Sequence, residues 1–209
     1  MKNISEWYIR FGEWGLKLFL LNLLWLLFSI AGLFVFGLFP ATVALFAVIR
    51  KLTMDSREIS IFKLFLHTFK NEFLKANLLG YIWAAIGLIL FLDLRVLQQL
   101  QTTIFHQSLT IILYVIIFVF LLLSLYLLPI FVHFQLKKRE YIKYAFVLAV
   151  GRPIQSILMI VAFLVTLYLM WSFPGIIPVF GASLLALVLM KMASISFPKL
   201  NSSEIEVNQ

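Results

Sequence analysis

From Leu18 to Ile49 the chain carries no charged side chain for 32 residues. As one helix that run would be about 48 Å long. The hydrocarbon core of a bilayer is about 30 Å thick, so the run is too long for one straight crossing. Two full crossings would need about 40 residues, so it is also too short for those. Gly32, Gly37 and Pro40 interrupt it, and a proline disfavours helix at the residue before it, here Phe39. The sequence therefore predicts a long limb over about 15–36, a turn at Phe36–Phe39 and a shorter limb over about 40–52.

The remaining sequence reads the same way. Apolar residues make up 63% of the chain and charged residues 12%, about half the share of a soluble domain. A water-soluble fold of 209 residues cannot hide that much apolar surface, and lipid is the solvent that removes the difficulty. Further spans are expected over 77–97, 108–132, 154–173 and 176–197, with a tight turn at Phe173–Pro178. Residues 1–17 mix Trp7, Phe11 and Trp14 on one helical face with Glu6, Arg10, Glu13 and Lys17, as interfacial segments do. Residues 53–76 are amphipathic: Phe62, Phe65, Leu66, Phe69 and Phe73 recur at helical spacing, with Lys63, His67, Lys70 and Asn71 on the other face. Such a helix lies on an anionic leaflet or packs on the rest of the protein.

The predicted fold is all-α: a multi-pass transmembrane helical bundle with amphipathic interfacial helices. One membrane domain is expected over 1–200, followed by a polar tail over 201–209 that is expected to be disordered. A cleavable signal peptide is not expected, because the first apolar run is too long and no small-residue cleavage site follows it.

Basic residues set the orientation. Arg50 to Lys75 holds six of them and Lys137 to Arg152 holds five, whereas the 93–107 loop holds only Arg95 and the 173–178 turn none. The positive-inside rule places loops 50–76 and 133–153, and with them the C-terminus, in the cytoplasm. A single crossing at 18–49 puts Lys2, Arg10, Lys17 and Arg95 outside and gives five full spans. A fold-back leaves only Arg95 outside and gives three helical hairpins, six segments with the second one short. Charge favours the fold-back and span length opposes it; the hairpin, with a cytoplasmic N-terminus, is the preferred reading. The net charge of +8 is then a membrane-flank signature rather than a nucleic-acid footprint.

Chemistry-bearing residues are sparse. There is no cysteine, which excludes disulfides, thiolate nucleophiles and Cys-ligated metals. No HExxH, P-loop, nucleophile elbow or Gly-rich dinucleotide loop is present. His67, His106 and His133 lie in separate regions, with His106 expected on the opposite side from the other two, so neither metal nor cofactor is expected. Asn22 within the first limb is a candidate interhelical tie or ligand contact. Asp93, at the far end of a span, is a candidate interfacial anchor or cation site, and Lys191 and Arg152 are further polar positions at span ends. A catalytic role is disfavoured.

Asn22-Leu-Leu-Trp25, then Gly37-Leu-Phe-Pro40-Ala41-Thr-Val-Ala44-Leu45 and Arg50-Lys51, form a pattern that resembles the YesL-like family of Gram-positive bacteria, a domain family of unknown function. The resemblance covers chiefly the first 80 residues or so, and Arg152-Pro153 at the start of a late span agrees with it. Ala31-Gly32 departs from the family's frequent Pro-Gly, and Leu52 from its frequent aromatic. The resemblance implies an accessory role in carbohydrate uptake or sensing, with a carbohydrate ABC-transporter permease or a second copy as partner. It carries no catalytic residue. Two other functions stay open: a small oligomeric transporter, which predicts a polar cavity near Asn22 and Pro40, and a lipid-binding or lipid-modifying protein acting at the 53–76 helix.

Overall fold

The computed structural model describes residues 2–54, 59–99, 103–134 and 140–197, and for residues 2–8 and 10 the backbone alone. Eight helices follow in order among the described residues: α1 (Lys2–Ala31), α2 (Leu38–Met54), α3 (Ile61–Asn71), α4 (Phe73–Gln99), α5 (Ile104–His133), α6 (Glu140–Gly151), α7 (Pro153–Ser172) and α8 (Ile176–Ser196). Five are long and apolar enough to cross a membrane: α1 over Phe11–Ala31, α4, α5, α7 and α8. The protein is thus a multi-pass helical membrane protein. The expected tail at 201–209, Arg57 and Lys137–Arg139 lie outside the described residues.

The uncharged run doubles back. The Trp25 indole N–H donates to the Thr42 hydroxyl at 3.0 Å, which holds α1 antiparallel to α2. The turn occupies residues 32–37, a few residues earlier than the expected Phe36–Phe39. Glycine spacing sets its position. A Cβ on Gly32 would come within 2.3 Å of the Gly37 Cα, and one on Gly37 within 2.5 Å of the Phe28 carbonyl oxygen. Both glycines are consumed by close approach, so the left-handed conformations fall on Leu33 (φ 55°) and Phe34 (φ 58°). These are strained positions for large L-residues. Pro40 is tolerated because it lies in the first turn of α2, where its missing N–H would be unpaired anyway.

α2 is about 25 Å long, short of a crossing. It is apolar on nearly every face, and Ala41, Val43, Ala44, Leu45, Phe46, Val48 and Ile49 are all buried. A helix of that kind belongs inside a protein. Its angle departs from expectation. About 20 Å of chain separates Phe36 from Arg50, yet both ends touch the same end of the α4–α5 pair. Asn77, near the start of α4, donates to the Phe36 carbonyl at 3.0 Å, and Arg50 donates to the Val132 carbonyl near the end of α5 at 2.8 Å. Between them Val43 packs with Ala76 and Phe131. α2 therefore lies across the end of that pair rather than along it. The sequence reading groups the first turn with the 98–107 loop; instead the turn rests on Asn77 and Tyr81, at the end of α4 that carries Lys75.

The other contacts follow from simple pairings. α4 and α5 run antiparallel, with Trp83 stacked on Phe120 at 4.7 Å and its indole N–H donating to Ser124 at 2.8 Å. α3 packs by its apolar face on the protein: Phe65 is fully buried, and Phe28 of α1 meets Phe65 and Phe69 at 5.3 and 4.9 Å. α1 runs antiparallel to α8, since Asn22 meets Pro178 and Ala182 while Trp14 lies 5.8 Å beneath the Lys191 ammonium. The Tyr126 hydroxyl bonds Ser156 of α7 at 3.1 Å and Ser196 of α8 at 3.4 Å. The N-terminal half of α1, the start of α4 and the ends of α2, α5 and α8 are thereby gathered at one end of the bundle.

Candidate functional site

At that end a cleft of about 1560 Å³ opens between α2, α3, α4, α5 and α6. Its polar wall is built from helix ends. Arg50 lies one turn before the end of α2, and its guanidinium reaches a carbonyl in the last turn of α5 that has no partner within its own helix. A cation there also complements the negative end of the helix dipole. Burial pulls the Arg50 guanidinium below the usual arginine range, though arginine stays charged at any physiological pH.

The polar face of α3 supplies His67, Thr68 and Asn71, and the Asn71 amide lies 3.0 Å from the His67 Nε2. The break between α3 and α4 supplies Glu72 and Lys75, paired at 3.4 Å. Lys51 completes the basic lining. His133 stacks on Phe197 at 4.3 Å, and its Nδ1 is buried without a hydrogen-bond partner among the described residues. Tyr141 donates to the Phe134 carbonyl at 3.3 Å. The second wall is apolar: Val43 and Ala47 from α2, Leu78 and Ile82 from α4, Phe131 from α5 and Ile142 from α6.

Of the family-motif and polar positions singled out in sequence, Arg50 and Lys51 line this cleft, as do His67, Asn71 and His133. Asn22 is a tie between helices. Its amide donates to the Pro178 carbonyl at 2.8 Å, and its carbonyl accepts from the Ala182 and Ser183 N–H groups at 3.0 and 3.4 Å. Trp25, Gly37, Pro40, Ala41 and Ala44 build the α1–α2 hairpin and its packing. Asp93 is exposed on α4, two residues before Arg95, whose guanidinium sits 5.2 Å from the Phe91 ring. Arg152 precedes α7 at its N-cap, and Lys191 covers Trp14. His67 and His133 share the cleft, whereas His106 bonds the Leu97 carbonyl at the far end of α4. Among the described residues no group of three or more His, Asp or Glu could hold a metal ion.

Sequence reasoning missed Asn77, Tyr81 and Tyr126. An asparagine opening an apolar run and a tyrosine inside one are visible signals of a buried tie; nothing in the sequence says what they meet.

A family model described as a protein of unknown function, DUF624, matches residues 18–94. Three proteins of Bacillus subtilis, each described as uncharacterized, align over most of the chain. YteU is 37% identical over 184 residues, 88% of this chain and 82% of its own. YesL is 35% identical over 196 residues, 93% of this chain and 91% of its own. YesV is 37% identical over 183 residues, 88% of each. No solved structure matches the chain. With that identity and coverage, the chain belongs to the DUF624, YesL-like family.

Proposed function

We propose that this protein is a non-catalytic accessory component of a bacterial plasma membrane, which acts by holding a ligand in the cleft between α2, α3, α4, α5 and α6. The observation that carries this reading is the cleft itself, with its polar wall assembled from five helices. Its polar groups support holding rather than turnover. Arg50 is engaged with Val132, Asn71 with His67, and Glu72 with Lys75.

The carbohydrate-uptake role, with a carbohydrate permease or a second copy as partner, is supported by the family resemblance alone. The small-transporter reading expects its cavity at Asn22 and Pro40, and neither residue lines the cleft. Loops 50–76 and 133–153, with both termini, are assigned to the cytoplasm on the strength of the basic residues.

The test is complementation of a deletion strain across carbohydrate sources. Ala47→Trp fills the cleft from α2 and is expected to fail to complement at wild-type abundance. The wild-type protein is expected to recover a permease after crosslinking in mild detergent. Full complementation by Ala47→Trp would sink the reading of the cleft, and recovery of the protein alone would sink the accessory role.

A further inference from the structure

The two walls of the cleft differ in a way that selects a ligand class. Among the described residues Arg50, Lys51 and Lys75 stand on one side against the single carboxylate of Glu72, which Lys75 already engages. The surplus is cationic. Among the described residues Arg50 uses one of its five N–H donors, on Val132. On the other side Leu78 (45% exposed), Ile82 (48%) and Ile142 (37%) leave the apolar wall open to the surroundings. Lys75 is followed at once by the apolar run of α4, so the polar-to-apolar change in the cleft coincides with the point where the helix enters the hydrocarbon. The volume, about 1560 Å³, exceeds the roughly 300–1,000 Å³ of ordinary small-molecule pockets. A compact polar solute leaves most of such a space unfilled, whereas an amphiphile fills both walls.

We propose that the cleft binds an anionic phospholipid drawn from the surrounding leaflet. Its phosphate ester lies toward Arg50, Lys51 and Lys75, and its acyl chains lie along Leu78, Ile82 and Ile142. This inference rests on the cleft being the ligand site. The same phosphate chemistry is available from a water-soluble ester, and the bilayer-facing apolar wall is what assigns the source to lipid.

The experiment uses the full chain in neutral detergent and reads the thermal midpoint on adding phosphatidylglycerol, phosphatidylcholine or glycerol 3-phosphate. Phosphatidylglycerol is expected to raise the midpoint by several degrees while the other two leave it unchanged. Lys51→Gln with Lys75→Gln is expected to weaken the response about five-fold for each cation removed, and Ala47→Trp to abolish it. If Ala47→Trp does not fold, His67→Glu, on the exposed polar face of α3, replaces it and is expected to weaken the response. Equal shifts with phosphatidylglycerol and phosphatidylcholine, or a shift that survives the cleft variants, would overturn the proposal. So would a shift from glycerol 3-phosphate equal to that from phosphatidylglycerol. Any of these results beside a failure of Ala47→Trp to complement leaves the cleft a site for another ligand. Full complementation by Ala47→Trp removes the underlying reading as well.

Discussion

Asn22 sits across one rung of α8: its amide bonds the Pro178 carbonyl and the Ala182 N–H, the two groups that an i→i−4 bond would join. Both ends of the side chain are used, so replacing it removes three bonds to the backbone of a neighbouring helix at a buried place. Interhelical bonds in membranes are modest individually, averaging below 1 kcal/mol. Asn22 makes three at once. Asn22→Leu is therefore expected to cost about 1–2 kcal/mol, read as a lower thermal midpoint in detergent. An unchanged midpoint would show that water replaces the amide. Tyr126 makes the parallel case on the other side of the bundle. Its hydroxyl is buried between Ser156 and Ser196, and Ser156 in turn donates to the Ala149 carbonyl at 2.8 Å. Tyr126→Phe keeps the ring and removes only the hydroxyl. It is expected to cost about 1–2 kcal/mol, checked by the same melt, and a gain in stability would mean the hydroxyl is poorly satisfied where it lies.

The glycines separate two kinds of element. Gly32 and Gly37 press two limbs of a hairpin together, and a Cβ at either has no room. The atoms that it would meet belong to the backbone, which cannot rotate aside. Gly12 in α1 has nothing within 4 Å of where its Cβ would be. Gly37→Ala is thus expected to lower the yield of folded protein sharply, at a cost of about 1–3 kcal/mol or more. Gly12→Ala should leave stability unchanged or raise it by up to about 1 kcal/mol through helix propensity. Size-exclusion profiles of the two variants test this, and equal profiles would sink the close-packing account. The same contrast explains what was legible in the sequence. α4, α5, α7 and α8 show as apolar runs because composition alone forces a membrane helix. The fold-back of 18–49 shows as a conflict of length with charge. The crossing angle of α2 does not show, because it depends on Asn77 and Tyr81 meeting carbonyls some forty residues away. The cleft is illegible for the same reason. Its wall draws on residues from Val43 to Ile142, and the polar face of α3 reads equally well as a helix facing headgroups.

For the molecule as a whole, sidedness follows from which helix ends meet. Trp14 lies under Lys191, Phe197 stacks on His133, and Arg50 reaches Val132, so the early part of α1 shares an end with the close of α8, α5 and α2. His106 and Leu97 mark the opposite end of the α4–α5 pair. Trp14 under Lys191 sets the early part of α1 beside the close of α8, while the turn at 32–37 rests on the start of α4, so the side of residue 3 is assigned from the basic residues and not from packing alone. The chain has no cysteine, so single substitutions can report each end cleanly. With a membrane-impermeant maleimide on intact cells, Thr103→Cys is expected to label, while Asn3→Cys and Lys143→Cys are expected to label only after permeabilisation. Labelling of Asn3→Cys from outside, with Lys143→Cys still protected, would place the two on opposite sides and sink the cytoplasmic assignment of the N-terminus. Labelling of both from outside, with Thr103→Cys protected, would keep the fold and invert it in the membrane. The cleft would then open to the outer leaflet, against the distribution of its basic residues.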